Sequence, residues 1–154
     1  MTGRRHIVIG GILALACACA KPAPPDETTL RAEDRAALEP VVALDVRASQ
    51  AMREADSATG KGEADAAADA LAARARPAVD EALRAAENAT VNSGWGRAKR
   101  GELLAILRDR KAEIPKYEDA VRGGDPEKML ASIEAQAAIE RRALATVAAL
   151  KAGR

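Results

Sequence analysis

Phenylalanine is absent from this 154-residue chain, and Trp95 and Tyr117 are its only aromatic residues. Any core must therefore be built from Ala, Leu, Val, Ile and Met. Small side chains bury little area each, at about 25 cal/mol per Å² of apolar surface. Helices can approach one another closely in exchange, and alanine has the best helix propensity of all residues. From Thr29 onward the apolar residues recur at helical spacing, with no strand-like alternation. Composition and period both predict an all-α fold.

Four helices follow from the pattern. The first is predicted from about Leu30 to Ser57, with Leu30, Ala37, Leu44 and Ala51 on one seam and Val41, Ala48 and Ala55 on its companion. Thr59-Gly60-Lys61-Gly62 breaks it. A second is predicted from Glu63 to Ala89 along Ala64, Ala68, Leu71, Ala75, Ala78 and Ala82, with Val79 and Leu83 beside them. The third spans Arg97 to Arg122, with Leu103, Leu107, Ile114, Tyr117 and Val121 inward and Leu104 and Ile106 widening the band. Gly123-Gly124-Asp125-Pro126 then ends one helix and caps the next. The fourth runs to Ala152, with Leu130, Ile133, Ala137, Leu144 and Val147 expected to face inward. Rods of this size are about 40 Å long, and short connections favour an antiparallel up-down-up-down four-helix bundle. Pro40, Pro77 and Pro115 are kink or restart points. Three helices or an elongated hairpin form the competing arrangement.

The N-terminus carries a separate signal. Arg4 and Arg5 precede an apolar run from Ile7 to Ala16, followed by Cys17-Ala18-Cys19-Ala20. A basic start, a short apolar stretch and small residues at a cut site make an export signal. With cysteine directly after alanine, this segment resembles the lipobox of bacterial lipoproteins. Two registers fit, one cutting before Cys17 and one before Cys19. Neither has the leucine that the family places three residues before the cysteine. Cys19 leaves Ile7 to Leu15 as a full-length apolar stretch and is preferred. The chain then divides into a signal peptide (1–18), a lipidated cysteine with a Pro-rich tether (19–29) and a helical domain (30–154). The tether, Lys21-Pro22-Ala23-Pro24-Pro25 onward, reaches roughly 25–30 Å as polyproline II at about 3.1 Å per residue.

The resemblance implies acyl chains on the cysteine thiol and amino group, hence a membrane as partner through that cysteine and no other cofactor. An uncleaved span would need about 20 apolar residues, more than this run supplies. An ordinary cleaved secretory signal is the alternative. After Arg4-Arg5, His6-Ile7-Val8 lacks the continuation of the twin-arginine family. In lipoproteins an aspartate after the lipidated cysteine favours the inner membrane. Alanine follows in both registers here, so an outer membrane is the expected destination.

Several activities are disfavoured. The formal charge is +1 and drops to near neutral once Arg4 and Arg5 leave, which gives no basic surface for nucleic acid. The single histidine, His6, leaves with the signal, so the usual nucleophile–base pairs cannot form. Asp65 with Asp69, and Asp80 with Glu81, read as solvated helix faces. In length and layout the body resembles the four-helix cytochromes, yet their histidine ligand and Cys-x-x-Cys-His attachment are missing. The Glu-x-x-His pairs of di-iron bundles are missing too. Neither a metal nor an enzymatic activity is expected. Gly96 and Gly101 have P-loop spacing, but Glu102-Leu103 stand where Lys-Ser/Thr is required. The alanine-rich heptads resemble murein lipoprotein, whose terminal lysine is replaced here by Lys151-Ala152-Gly153-Arg154. Asn88-Ala89-Thr90 matches a glycosylation sequon of no weight in a bacterial helix end.

In an up-down-up-down bundle, the tether, the loop between the second and third helices and the C-terminus share one end. Trp95, Arg97, Lys99 and Arg100, with Lys151 and Arg154, would then face the membrane. Tryptophan favours the interface, and a basic residue near an anionic surface contributes about 1 kcal/mol. The alternative is that Trp95 caps the bundle while the basic groups offset a helix C-terminus. Function is expected to be that of an envelope interaction or structural module, with an unknown protein partner or self-association through the alanine seams. A small-ligand carrier is the second reading and an enzyme the last. An exposed apolar groove favours the first. A closed pocket of about 300 Å³ or more favours the second.

Overall fold

The structure, a computed structural model, describes residues 26–153. Cys17, Cys19, the signal segment, most of the tether and Arg154 lie outside them. The described residues are all-helical, with no strand. Helix α1 spans Glu27–Gly60. Helix α2 (Ala64–Asp69), a π-helical turn (Ala70–Ala75) and α3 (Arg76–Asn88) form one continuous rod. Helices α4 (Gly94–Gly123) and α5 (Pro126–Ala152) complete four rods.

The starts of α1, α4 and α5 each have a local cause. Asp26 accepts from the Thr29 N–H at 2.8 Å, so α1 begins ahead of the predicted Leu30 start and Glu27 to Thr29 belong to the helix rather than the tether. Ser93 accepts from the Gly96 N–H at 2.9 Å, which starts α4 at Gly94 instead of Arg97. The hinge before α5 is built as its sequence predicts. Gly124 is left-handed at φ 62°, the Asp125 N–H reaches back to the Ala120 carbonyl, and Asp125 accepts from the Lys128 N–H with Pro126 in the first turn.

The prolines do not break the rods. Pro40 and Pro115 lie inside uninterrupted helices, on exposed faces where water reaches the carbonyls that lose a partner. Pro77 sits in the first turn of α3, just after the π-helical turn. The wider π winding relieves the clash of the ring with the preceding turn and removes the need for its missing N–H.

One core gathers residues from all four rods: Leu38, Val41, Ala48 and Ala55 of α1; Leu71 and Ala75 of the π turn; Val79 and Ala82 of α3; Leu103, Leu107, Ile114 and Tyr117 of α4; and Leu150 of α5. The inward stripes expected for the first three rods coincide with this core at most positions. Ala64 at the start of α2 is an exception and is exposed.

Helix α5 corrects the sequence expectation. Leu130 and Leu144 are 57% and 61% exposed, Ala137 is exposed, and Ile133 and Val147 are only half-buried. The buried positions are Ser132, Gln136, Ile139, Ala143, Thr146 and Leu150, a strict heptad seam against α4. Ser132 donates to Glu113 at 3.0 Å and Thr146 to Glu102 at 3.2 Å. Hydropathy points to the other face because half of the buried seam is polar. Helix α5 packs extensively on α4 and only sparsely on α1, so its apolar stripe stays partly open along the α1 side.

Candidate functional site

Two polar constructions stand out, one at each half of α1. The first joins the beginnings of α1 and α4. Asp34 is fully buried and accepts from the Asn92 N–H (2.6 Å), the Ser93 N–H (2.9 Å) and the Ser93 hydroxyl (2.5 Å). Burial pushes its carboxyl up, but those hydrogen bonds and the Arg97 charge outweigh it and hold the group below its ordinary value. Gly96 is required here, because a Cβ at that position would overlap the Asp34 carboxylate. The sequence offers one signal for this clasp, a glycine in the first turn of a helix where alanine would otherwise be favoured.

The predicted membrane-facing residues surround this clasp. Arg97 donates to the Asn92 carbonyl at 3.0 Å and Arg100 to the Ala89 carbonyl at 2.9 Å, just past the end of α3. Lys99 pairs with Glu102 at 3.0 Å and is largely covered. Trp95 is half-buried against the core, and its indole N–H is buried without a partner among the described residues. Of these contacts, that of Arg100 lies at the C-terminus of α3, where a cation offsets the helix dipole. Arg31 donates to the Gly153 carbonyl at 3.3 Å, which brings the end of α5 to the start of α1. Lys151 is exposed beside it.

The second construction is a cleft between α1, α4 and α5, none of whose polar residues stands out in the sequence as a site. Arg110 of α4 is 1% exposed and lies between two carboxylates. It meets Asp45 at 2.9 and 3.4 Å and Glu140 at 3.1 Å, with Met52 sulfur at 3.9 Å. Ser49 donates to Glu140 at 2.7 Å, and Arg53 pairs with the other Glu140 oxygen at 3.2 Å. Burial raises the Asp45 carboxyl despite Arg110. For Glu140 burial also acts upward, but Ser49, Arg110 and Arg53 outweigh it and lower the group. In front of this network lies a cleft of about 220 Å³ lined by Ser49, Arg53, Asp56, Ile133, Gln136 and Glu140, among others. Gln136 is 6% exposed, and both its amide atoms lack a partner among the described residues. One Asp56 oxygen is likewise buried and unpartnered.

Further along the same α1–α5 seam, Val42, Val147 and Leu150 line a groove of about 190 Å³ with Arg35, Glu39 and Lys151 at its edges. Val46 of α1 is 52% exposed, and helical spacing sets it level with Leu144 across the seam.

The remaining sequence candidates do not assemble into a site. Asp65 and Asp69 are exposed, and Asp80 pairs with Lys111 at 2.6 Å rather than with Glu81. Gly94 to Gly101 is helical, which rules out a phosphate-binding loop there. Among the described residues no group of three or more acidic, His or Cys side chains could hold a metal, and no helix is long and apolar enough to cross a membrane. No protein-family model matches this chain, and neither the curated proteins nor the solved structures include a match.

Proposed function

We propose that this chain is a lipoprotein of the bacterial envelope, anchored through Cys19 (or Cys17 in the other register), with outer membrane favoured over inner. Its helical body acts as a non-catalytic interaction module. The observation that carries the interaction reading is the half-open α1–α5 seam. Leu130, Leu144 and Val46 are each more than half exposed, and Val42, Val147 and Leu150 line an apolar groove beside two of them. Large apolar side chains collected on one seam mark a contact surface, whereas single scattered ones do not. Two depressions larger than 300 Å³ among the described residues are surface hollows edged by charged residues such as Arg47, Glu54 and Arg74, or Glu113, Lys116 and Lys128. They do not have the form of an enclosed carrier pocket.

The body is read as an up-down-up-down bundle. Contacts of Asp34 with Ser93 and of Tyr117 with Thr59 support parallel α1 and α4. Contacts of Arg76 with Glu118 and of Lys111 with Asp80, of Arg142 with Asp109, and of Ser49 with Glu140 support antiparallel neighbours. In that arrangement the tether leaves beside the 89–93 loop and the end of α5, and the α1–α5 seam stands away from the bilayer surface. No cofactor beyond the covalent lipid is part of this reading, and neither is nucleic acid.

A photo-cross-linking residue in place of Leu144, in cells producing the full chain, tests the interaction. A specific adduct that is absent from the same replacement at exposed Asp69, on the far rod, supports it. Equal capture at both positions, or none at Leu144, refutes it. A self-adduct at Leu144 identifies the partner as a second copy.

A further inference from the structure

We propose that the cleft between α1, α4 and α5 binds a small primary amine that carries a neighbouring hydroxyl or amide group. This goes beyond the lipoprotein reading, and only the choice of a free solute over a bilayer headgroup rests on it. Three features of the cleft select that class.

The first is hydrogen-bonding capacity with no internal use. Gln136 is 94% buried by its 6% exposure, and neither its amide nitrogen nor its amide oxygen has a partner among the described residues. Buried polar side chains in native proteins are nearly always hydrogen-bonded. Both amide atoms are covered at the cleft wall, and a turn of the Gln136 side chain toward the cleft would offer a donor and an acceptor side by side, which suits a hydroxyl or a second amide. Asp56 adds a buried unpartnered oxygen to the same cleft.

The second is charge. Asp45, Asp56 and Glu140 face the two guanidinium groups of Arg53 and Arg110. Asp45 and Glu140 are held by those arginines, and Asp56 supplies the excess negative charge. Burial pushes the Asp56 carboxyl up, with Tyr117 and Arg53 offsetting it only in part. A bound ammonium provides the missing counter-charge. It must carry N–H donors, because its partners are acceptors. A quaternary cation would need an aromatic cage instead, and no aromatic residue lines the cleft.

The third is size and position. A cleft of about 220 Å³ falls below the roughly 300–1,000 Å³ of drug-sized sites. Met52, Ile133 and Ala137 provide an apolar wall for a short alkyl link. Asp56 lies about 30 Å along α1 from Asp34, at 1.5 Å per residue, and Asp34 marks the end where the tether leaves. The ligand is therefore a free solute rather than a headgroup of the anchoring bilayer.

Ethanolamine is the probe, with choline and ethylene glycol as controls lacking the N–H donors or the charge. Side-chain amides occur only at Gln50, Gln136, Asn88 and Asn92, so the ¹⁵N side-chain spectrum of the full chain in detergent micelles has four pairs of signals. Ethanolamine is expected to shift the Gln136 pair saturably and leave Gln50 unmoved, with both controls silent. Asp56→Asn should weaken the binding about tenfold or more, the size of one charge-assisted hydrogen bond. Gln136→Leu should abolish binding heat in calorimetry. A Gln136 signal that does not saturate into the high millimolar range overturns the proposal, since solvent then satisfies the amide. Equal shifts by choline or ethylene glycol, or undiminished binding by Asp56→Asn, overturn the ligand class.

Discussion

Gly96→Ala sets helix propensity against a tertiary contact. In an ordinary helix interior the change stabilises by about 0.5–1 kcal/mol. Here the added Cβ would overlap the Asp34 carboxylate, which three hydrogen bonds hold in place. Relieving the overlap either shifts α4 against α1 or expels the carboxylate. Overpacking of this kind costs about 1–3 kcal/mol, and a buried carboxylate deprived of donors adds about 1–3 kcal/mol. The overlap wins, and a net loss of about 2–4 kcal/mol is expected. Gly101→Ala is the control, since a Cβ there meets nothing within 4 Å, and it should gain about 0.5–1 kcal/mol. Urea unfolding of the full chain, followed by far-ultraviolet circular dichroism, measures both. In an Asp34→Ala background the Gly96→Ala penalty should shrink without vanishing, because the two changes share the carboxylate contact while the Cβ of residue 34 would still lie 2.8 Å from the added one. A Gly96→Ala variant as stable as the wild type refutes the clasp.

Other expectations follow from the same contacts. Arg110→Met leaves Asp45 buried without its partner and should cost about 3–5 kcal/mol, read as a lower urea midpoint, while Arg110→Met with Asp45→Leu should recover most of it. Asp34 and Glu140 have lowered carboxyl values when folded, so their stabilisation is complete above the unfolded values of about 4 and is lost as pH falls through the folded ones. Asp45, whose value is raised, acts in the opposite sense and softens the decline. Urea midpoints from pH 6 to pH 3 should fall for the wild type and fall less for Asp34→Asn. Cys19→Ser should abolish acylation by intact-mass spectrometry while Cys17→Ser retains it, and the reverse result assigns the anchor to Cys17.

Local chemistry made the rods readable in the sequence. Asp125 starts α5 through its own side chain and Gly124 ends α4 in a left-handed conformation, as expected, whereas Asp26 and Ser93 cap starts that apolar periodicity alone puts three residues too late. Alanine-rich stripes at helical spacing identified the buried faces of the first three rods, because apolar periodicity and burial coincide there. The outcome at the three prolines depended on which way each ring faced and on the π turn ahead of Pro77. Neither is written in the local sequence.

Only the tertiary structure decided which face of α5 is buried. Two stripes compete on that helix, and the more apolar one lost, because Ser132 and Thr146 find Glu113 and Glu102 on α4. Hydropathy ranks residues by their transfer from water and is blind to a partner supplied by another helix. The Asp34 clasp and the Arg110 network are hidden for the same reason, since their members lie 30 to 91 positions apart along the chain.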